Sequence, residues 1–163
     1  MLNVALLSTP NGSYLTGGGD CMKEEVYKIL ESREPKLCVL ATSDKSGKTE
    51  AATLVYTIEE DLTILLSTKS DSRKWNNLLE NDQVSLVFGF SFTEANIQYD
   101  GIAKLIDKNS PEYASCEQTY FTDHPDLSEY RGQANSVFFK ITPRWLRLSD
   151  YSKKPPQVDE MEL

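Results

Sequence analysis

The clearest candidate for chemistry is the adjacent pair of cations Arg73 and Lys74, in the segment "STKSDSRKWNNLLEND". We predict a helix over residues 72–80, so both cations fall in its first turn. The unpaired backbone N–H groups and the dipole of a first turn favour an anion and make cations there mildly unfavourable. A phosphate would neutralise both side chains, whereas the simpler interpretation is a solvated helix start without a ligand. The residues alone leave both interpretations open.

Hydroxyl side chains precede the pair and could donate further hydrogen bonds to a phosphate. They are Thr68, Ser70 and Ser72, beside the planar fork of an arginine and the point charge of a lysine. We expect Ser70 or Asp71 to cap the helix. Its apolar stripe should consist of Trp75, Leu78 and Leu79.

Other catalytic devices find little support in the sequence. His124 is the one histidine, which rules out multi-histidine metal sites and leaves a Ser-His-Asp triad a single possible base. The stretch "GFSFT" from Gly89 lacks the last glycine of G-x-S-x-G, and the glycines at 17–19 match no phosphate-binding loop. Three cysteines without a C-x-x-C pair predict idle thiols and no metal site.

Composition places the chain among globular proteins of one domain. It has 163 residues, a formal net charge of -8 and a pI near 4.7, so a general electrostatic grip on nucleic acid or anionic membrane is not expected. The first residues, "MLNVALLSTPNGSYL", lack a basic region and a long apolar run. No signal peptide or membrane span is therefore predicted, and the cytoplasm is the expected location.

Strand signals dominate the pattern from residue 37 onward. A short amphipathic helix is predicted from Met22, and a second helix over residues 110–121 has Pro111 at its start. The predicted strands cover residues 37–43, 48–58, 62–68, 83–93, 96–106, 135–141 and 144–149. Short connections such as the "DKSG" turn predict antiparallel pairing.

Three details of these strands can be compared with a structure. In "QVSLVFGFSFT" the alternation predicts that Phe90 and Phe92 continue the face of Val84, Leu86 and Phe88. A bulge is expected at Gly101. A break is expected at Pro143, between the last two strands.

The sum is a mainly β fold: a β-barrel with flanking helices, split, with six to seven mostly antiparallel strands. We divide the chain into a flexible N-terminal extension over residues 1–21, a barrel domain over residues 22–151 and a disordered tail over residues 152–163.

The order of the segments, and "STKSDSRKWNNLLENDQVSLVF" in particular, resembles the pyridoxamine 5'-phosphate oxidase-like flavoproteins, which are FMN-binding split barrels. The resemblance runs from about Pro35 to Asp150. It implies a homodimer with FMN at the subunit interface, hydride transfer between flavin and a small molecule, and no membrane or nucleic-acid partner.

The resemblance also implies roles for individual residues. The FMN phosphate would be held by Thr68, Ser72, Arg73 and Lys74. The flavin ring would be contacted by the strand Thr53, Leu54 and Val55 and by Asn96 or Gln98, where a register slip of two leaves the choice open. Trp145 and Arg147 would reach the partner's flavin, although Trp145 could equally serve core or dimer packing.

The substrate side departs from the family's oxidases. "YFTDHPDLS" is similar to their Y-F-x-x-R-P-x-x-S segment, so Tyr120, His124 and Ser128 would touch a substrate phosphate, but His124 replaces the arginine. A histidine is mostly uncharged at neutral pH, which weakens such a clamp. Likewise "RLSDY" resembles R-L-H-D-R, with Ser149 and Tyr151 at the replaced positions.

We therefore expect an FMN-dependent oxidoreductase acting on an unidentified small molecule. One alternative is an authentic pyridoxamine/pyridoxine 5'-phosphate oxidase. Another is a non-catalytic protein that binds or stores flavin, haem or the deazaflavin F420.

Overall fold

The computed structural model describes residues 18–163, and in this part the chain forms three α-helices and seven strands. The helices are α1 (Gly18–Glu31), α2 (Arg73–Glu80) and α3 (Pro111–Asp123), followed by a 3-10 helix (Pro125–Tyr130). The strands are β1 (Leu37–Ser43), β2 (Thr49–Ile58), β3 (Ile64–Lys69), β4 (Gln83–Phe88), β5 (Asn96–Leu105), β6 (Ser136–Asp150) and β7 (Gln157–Glu162).

The strands form a closed antiparallel barrel with one strand added outside it. Their order is β3-β2-β1-β4-β5-β6-β7, and a further pairing of β3 with β6 closes six of them into the barrel. The predicted mainly β architecture is therefore confirmed. Closure covers the edges of β3 and of residues 136–141 of β6 that a flat sheet would expose.

Side chains fill the barrel interior. Tyr56, Phe88 and Tyr99 are fully buried, and the rings of Tyr56 and Phe88 meet edge to face with centroids 4.9 Å apart. The buried Tyr56 hydroxyl donates to the carbonyl of Leu30 at 2.7 Å, and that of Tyr99 to Ile141 at 2.8 Å. Because the lumen is packed and its polar atoms are paired, a ligand must bind on the outside of the barrel.

Helix α1 begins earlier than the sequence predicted. It starts at Gly18, and its buried face of Met22, Val26 and Leu30 joins the core. Residues 18–21 therefore belong to this helix and not to the predicted extension. The rest of that extension, residues 1–17, lies outside the described residues.

The predicted disordered tail is a strand at its end. β7 pairs along the outer half of β6, with Leu146 opposite Met161 and Arg147 opposite Glu160. Met161 also packs on the core cluster. The acidic, proline-containing sequence suggested disorder. Pairing with β6, which composition does not reveal, orders this segment as a strand.

The predicted break at Pro143 is also wrong, because β6 runs without interruption through this residue. β3 pairs with β6 up to Ile141 and β7 pairs from Trp145 onward, so Pro143 lies in the gap between them. A proline lacks an N–H group, and at this position no neighbouring strand requires one on that side. On the other side Pro143 faces the predicted bulge, which the register shift between Asp100 and Gly101 confirms.

Strand β4 ends at Phe88, five residues before its predicted end. Gly89 has a φ of +85°, which turns the chain away from the strand. Consequently Phe90 and Phe92 are exposed, by 58% and 81%, and do not continue the buried face of Phe88.

Within residues 18–163, no helix has the length and apolar character needed to cross a bilayer. The same part of the chain holds no cluster of three or more His, Cys, Asp or Glu side chains arranged for a metal ion.

Candidate functional site

The start of α2 is built around Ser72. Its side chain caps the helix by accepting the N–H of Trp75 at 3.3 Å, and its hydroxyl lies 3.2 Å from the hydroxyl of Thr68. The predicted caps, Ser70 and Asp71, do not have this role. Thr68, near the end of β3, therefore lies beside the first turn of α2.

The first turn of α2 holds two cations and no acid. Arg73 and Lys74 are its first two residues. The guanidinium of Arg73 is 74% exposed and its Nε lies 3.2 Å from the carboxylate of Glu50, on β2. Lys74 is half-buried and has no ion-pair partner within the described part of the chain. Because the Arg73 side chain is largely exposed and its contact with the mostly buried Glu50 is not a hydrogen bond, the pair holds Arg73 only weakly, so Arg73 can turn to another anion.

One edge of β2 is open beside this helix start. β1 pairs with residues 49–55 of β2 on one side, whereas β3 pairs only with Tyr56–Ile58 on the other. Backbone groups of Thr53, Leu54 and Val55 that face the β3 side consequently have no strand partner among the described residues. The Val55 carbonyl accepts a long hydrogen bond from the Tyr120 hydroxyl at 3.4 Å.

A cavity of about 220 Å³ lies where β2 and β3 diverge, and we call it the β2–β3 cleft. Leu54, Thr68 and Tyr120, all predicted from the sequence, line it. Its remaining walls are Ser67, Lys69, Phe121, Leu127, Tyr130 and Ser136. Arg73 does not line this cleft; with Glu50 it borders a separate depression of about 180 Å³.

The lining of the cleft includes a buried hydroxyl and a lysine. Burial raises the pKa of the Tyr120 hydroxyl, so this group stays protonated at neutral pH. The Lys69 ammonium hydrogen-bonds Gln133 and Asn135 and lies 5.9 Å from the centroid of the Tyr130 ring.

A second pocket, of about 280 Å³, collects the other predicted cofactor residues. Asn96 and Gln98 on β5 lie directly opposite Ser149 and Arg147 on β6, and all four line it. The register that the sequence left open is thereby fixed, with both amides on the outer face of the barrel. Trp145 is half-buried on the same face of β6 and lies beyond the residues that line the pocket.

The rim of this second pocket is aromatic, and we call it the aromatic-rimmed pocket. Phe90, Ser91, Phe92 and Tyr151 complete its lining. Sequence reasoning missed the two phenylalanines as site residues because their alternation with Phe88 suggested a continuous buried strand. The glycine that follows Phe88 was the available signal of a turn.

His124 is buried in this structure. It is only 7% exposed, and its Nε2 donates to the Tyr56 carbonyl at 3.0 Å and lies 3.2 Å from the Thr57 hydroxyl. Ser128 is exposed on the 3-10 helix. The rings of Tyr120 and His124 meet edge to face with centroids 5.0 Å apart, whereas Ser128 is exposed, so the three residues do not share one open surface.

His124 belongs to a buried polar cluster that joins α3 to the barrel. Lys36, 6% exposed, donates to Asp123 at 2.8 Å and to Glu31 at 3.1 Å, and the Thr57 hydroxyl donates to Asp123 at 2.9 Å. Burial raises the pKa of the Asp123 carboxyl, but the hydrogen bonds from Lys36 and Thr57 and the Lys36 charge outweigh it, so this pKa lies below its ordinary value. These contacts link α3 to β2 and to the residue that precedes β1.

The predicted cofactor residues fall into two groups, one around Thr68 and one around Gln98, which lie beside different parts of β6. Thr68 lies opposite Val137 on β6, and Gln98 lies opposite Arg147, ten residues farther along the same strand. Ten residues of extended strand span at most about 33 Å. The two groups line separate cavities of one protomer.

A protein-family model for pyridoxamine 5'-phosphate oxidase matches residues 22–150, which is most of the chain. With the barrel and the site just described, this match defines the class: the chain belongs to the pyridoxamine 5'-phosphate oxidase family.

Among curated proteins, the chain is 30% identical over 89 residues to a pyridoxine/pyridoxamine 5'-phosphate oxidase from Anaplasma phagocytophilum (strain HZ). That match covers 55% of this chain and 43% of the relative. The chain spans about half the length of the curated relatives that it matches.

Solved structures share the fold at low identity. A pyridoxamine 5'-phosphate oxidase-related, FMN binding protein from Nostoc punctiforme PCC 73102 has a TM-score of 0.64 and 12% identity, covering 91% of this chain and 97% of that one. HutZ, the haem storage protein from Vibrio cholerae, also has a TM-score of 0.64, at 16% identity, covering 74% of this chain and 88% of that one.

Proposed function

We propose that this protein is a homodimeric, FMN-dependent oxidoreductase that acts on a small organic molecule other than pyridoxamine phosphate. The observation that carries the proposal is the first turn of α2, where Ser72, Arg73 and Lys74 combine with Thr68 and no acid is present. Two cations, free backbone N–H groups and two hydroxyls are the donor set that suits a phosphate monoester. The residues present therefore fit the FMN phosphate.

Each part of the chain has a defined task in this proposal. Arg73 and Lys74 neutralise the phosphate, while the open edge of β2 offers backbone hydrogen bonds to a flat ring. Leu54 and Phe121 keep water from the inner wall of the cleft. Bound FMN supplies a two-electron acceptor for a hydride.

No side chain is required to act as a general acid or base in this scheme. The Tyr120 hydroxyl, held protonated by burial, is not a base at neutral pH and can only donate or accept a hydrogen bond. The chain's contribution is position and exclusion of water.

A dimer would bring the β2–β3 cleft and the aromatic-rimmed pocket together at one site. In a two-fold dimer each surface of one protomer can face the other surface of its partner, so that the β2–β3 cleft of one subunit and the aromatic-rimmed pocket of the other border the same ligand. The distance along β6 between the two groups supports this arrangement over a site within one protomer.

Authentic pyridoxamine phosphate oxidation is the alternative that the names of the curated relatives favour. Against it, His124 occupies the position of the expected phosphate-binding arginine and is buried under Tyr56 and Thr57. Oxygen-dependent turnover of pyridoxamine phosphate by the purified protein would establish this alternative.

Haem storage is a second alternative, favoured by the likeness to HutZ. The one histidine of the chain is buried with its Nε2 already hydrogen-bonded, so it is poorly placed as an axial ligand. A deazaflavin would use the same ring-binding surfaces as FMN, and its spectrum would distinguish it.

The three cysteines are all free thiols, of which Cys38 and Cys116 are buried. Burial raises the pKa of Cys38 to about 12, so this thiol is not a nucleophile at neutral pH. Free thiols suit a reducing compartment, and we propose the cytoplasm.

The experiment that tests the proposal is an FMN titration of the parent and of the Arg73→Ala, Lys74→Ala double variant. Removing two charge-assisted contacts, each worth about 1.5–3 kcal/mol, should weaken FMN binding by at least about a hundredfold. The matched control is Lys153→Ala, Lys154→Ala, which removes the same charge from the turn before β7 and should bind FMN like the parent. Equal FMN affinity in the Arg73, Lys74 variant and the parent would refute the phosphate assignment.

A further inference from the structure

We propose that residues 2–8 of this chain dock on the outer edge of β7 as an eighth strand. The inference goes beyond the proposed function, because it assigns a protein-binding surface that neither the β2–β3 cleft nor the aromatic-rimmed pocket includes. Three observations carry it: an open strand edge on β7, the position of the first turn of α1, and the uncharged, apolar sequence of residues 2–8.

The outer edge of β7 is open in the described part of the chain. Among residues 18–163, β7 pairs with β6 on one side and with no strand on the other. The Leu163 N–H donates to the Arg144 carbonyl at 2.9 Å, so these two residues form a hydrogen-bonded pair of the antiparallel ladder. Because such pairs alternate along a ladder, the backbone N–H and C=O groups of Val158, Glu160 and Glu162 point away from β6.

Like charges make a second copy of β7 a poor partner for this edge. Asp159, Glu160 and Glu162 all lie in the strand, and all three are exposed. Pairing of two such strands would bring carboxylates close to one another across the ladder, which is destabilising. An uncharged strand meets no such repulsion, and it would cover an edge that native proteins otherwise protect against aggregation.

The first turn of α1 lies beside the end of β7. A Cβ atom added at Gly19 would be 3.9 Å from the Cε of Met161. Farther along the helix, Glu25 lies 3.7 Å from Lys153, in the turn before β7. Residues 1–17 join α1 at Gly18, so they enter the described part of the chain next to the open edge.

The length of chain before α1 is sufficient for residues 2–8 to reach the whole edge. Residues 9–17 connect this segment to α1, and an extended chain of that length reaches about 30 Å. β7 has six residues and is therefore about 20 Å long. The connection can thus place the segment along β7 without disturbing α1.

The sequence of the segment suits a strand at an acidic edge. Residues 1–17 contain no Asp, Glu, Lys or Arg, although the whole chain has 17 Lys and Arg and 25 Asp and Glu. In "LNVALLS", residues 2–8, all but Asn3 and Ser8 are apolar and none is proline, so each N–H can donate. Solvated tails are typically polar and highly charged, so this composition favours burial against a surface. The following "PNG" is typical of a turn and would end the strand.

The experiment compares the full chain with three variants. Val4→Pro, Ala5→Pro removes two neighbouring N–H groups, one of which must face β7 because successive residues of a strand point to opposite sides. The matched control, Ser13→Pro, Tyr14→Pro, makes the same change in the connection to α1. Deletion of residues 2–9 removes the segment altogether.

Amide hydrogen exchange, resolved by residue with NMR, measures whether the edge is covered. In the parent and in the control, the outward amides of Val158, Glu160 and Glu162 should exchange slowly. In Val4→Pro, Ala5→Pro and in the deletion they should exchange at least about tenfold faster, because their hydrogen-bond partners are lost. The amides of Asp159 and Met161, which point toward β6, should keep the parent's rate in every variant.

Two results would overturn the inference outright. One is fast exchange of the outward amides in the parent, and the other is slow exchange in both the proline variant and the deletion, because a different partner would then cover the edge.

A mixture tests whether the segment comes from the same chain. Isotope-labelled Val4→Pro, Ala5→Pro protein is mixed with unlabelled parent, and the labelled outward amides should still exchange fast. Their return to the parent's rate would assign the segment to a neighbouring copy and would overturn docking within one chain.

Discussion

At the scale of single residues, the contact between Glu50 and Arg73 shows how a ligand could be accommodated. The Glu50 carboxylate is mostly buried, and its Oε2 has no hydrogen bond of good geometry although it lies 3.2 Å from Arg73. The pair is therefore electrostatic and loosely oriented. A phosphate at the start of α2 would compete for Arg73 and would be repelled by Glu50.

Glu50→Gln should consequently tighten FMN binding, by up to about fivefold, because an ion pair with one largely exposed member and no hydrogen bond contributes about 1 kcal/mol or less. FMN affinity from quenching of flavin fluorescence measures the change. Weaker binding in this variant, with unchanged thermal stability, would show instead that Glu50 positions Arg73 for the ligand.

Asp123 predicts a pH dependence of stability. Its pKa in the folded protein lies below the ordinary value found in the unfolded chain. The stabilisation by this carboxylate is therefore complete above the unfolded value, near 4, and is lost as the pH falls through the folded value. Asp123→Asn should lower the free energy of unfolding at pH 7 by about 2 kcal/mol, less than for a fully buried pair because the carboxylate is 23% exposed.

Urea unfolding at pH 7 and pH 3 measures both effects. The difference between variant and parent should shrink at the lower pH. The matched control is Glu24→Gln, which breaks a fully exposed pair with Lys28 and should stay close to the parent at both pH values. A difference between Asp123→Asn and parent that does not depend on pH would contradict the assignment.

At the scale of elements, Ser72 combines two tasks that substitutions can separate. Ser72→Ala removes both the helix cap and a hydroxyl donor, and should lower the stability by about 1 kcal/mol as well as the FMN affinity. Ser72→Asp keeps a good cap but places a negative charge where we expect the phosphate. It should leave the thermal midpoint near that of the parent and reduce FMN affinity more than Ser72→Ala does. Retained FMN affinity in Ser72→Asp would place the phosphate elsewhere.

The sequence predicted most elements because their local patterns were strong. The strand-forming residues of β1, the turn at residues 44–47 and the bulge at Gly101 all depend on neighbours in the sequence. The errors occurred where distant contacts decide. β7 depends on the free edge of β6, and the loop after Phe88 depends on Arg33, which lies 61 residues from Glu94 in the sequence.

In the candidate site, too, the residues of a local motif were predicted and those that depend on distant contacts were missed. Thr68 and Ser72 were predicted from a local motif, and the structure brings them within 3.2 Å. The predicted role of His124 rested on a sequence likeness. In the structure His124 is buried beside Tyr56 and Thr57, and no local sequence pattern indicated this burial. Lys69, Tyr130 and the exposed phenylalanines were missed because their significance depends on tertiary placement.

At the scale of the whole molecule, the proposed dimer makes every site depend on two chains. If the phosphate group of residues lies on one subunit and the ring-binding group on the other, two defective variants can complement each other. Mixing Arg73→Ala, Lys74→Ala with Gln98→Ala, Arg147→Ala and allowing subunits to exchange should restore about a quarter of the FMN sites. FMN stoichiometry by calorimetry measures this, with each variant alone as its control. A lack of recovery in a proven heterodimer would place both groups of residues in separate sites.

The central claim is that the start of α2 recognises a phosphate, and the most direct measurement compares FMN with riboflavin, which has the same ring and no phosphate. Affinities of both ligands are measured for the parent and for Arg73→Ala, Lys74→Ala. We predict that the parent prefers FMN by at least about a hundredfold and that the preference nearly disappears in the variant, with riboflavin affinity unchanged. A preference that survives in the variant, or an equal loss for both ligands, would contradict the claim.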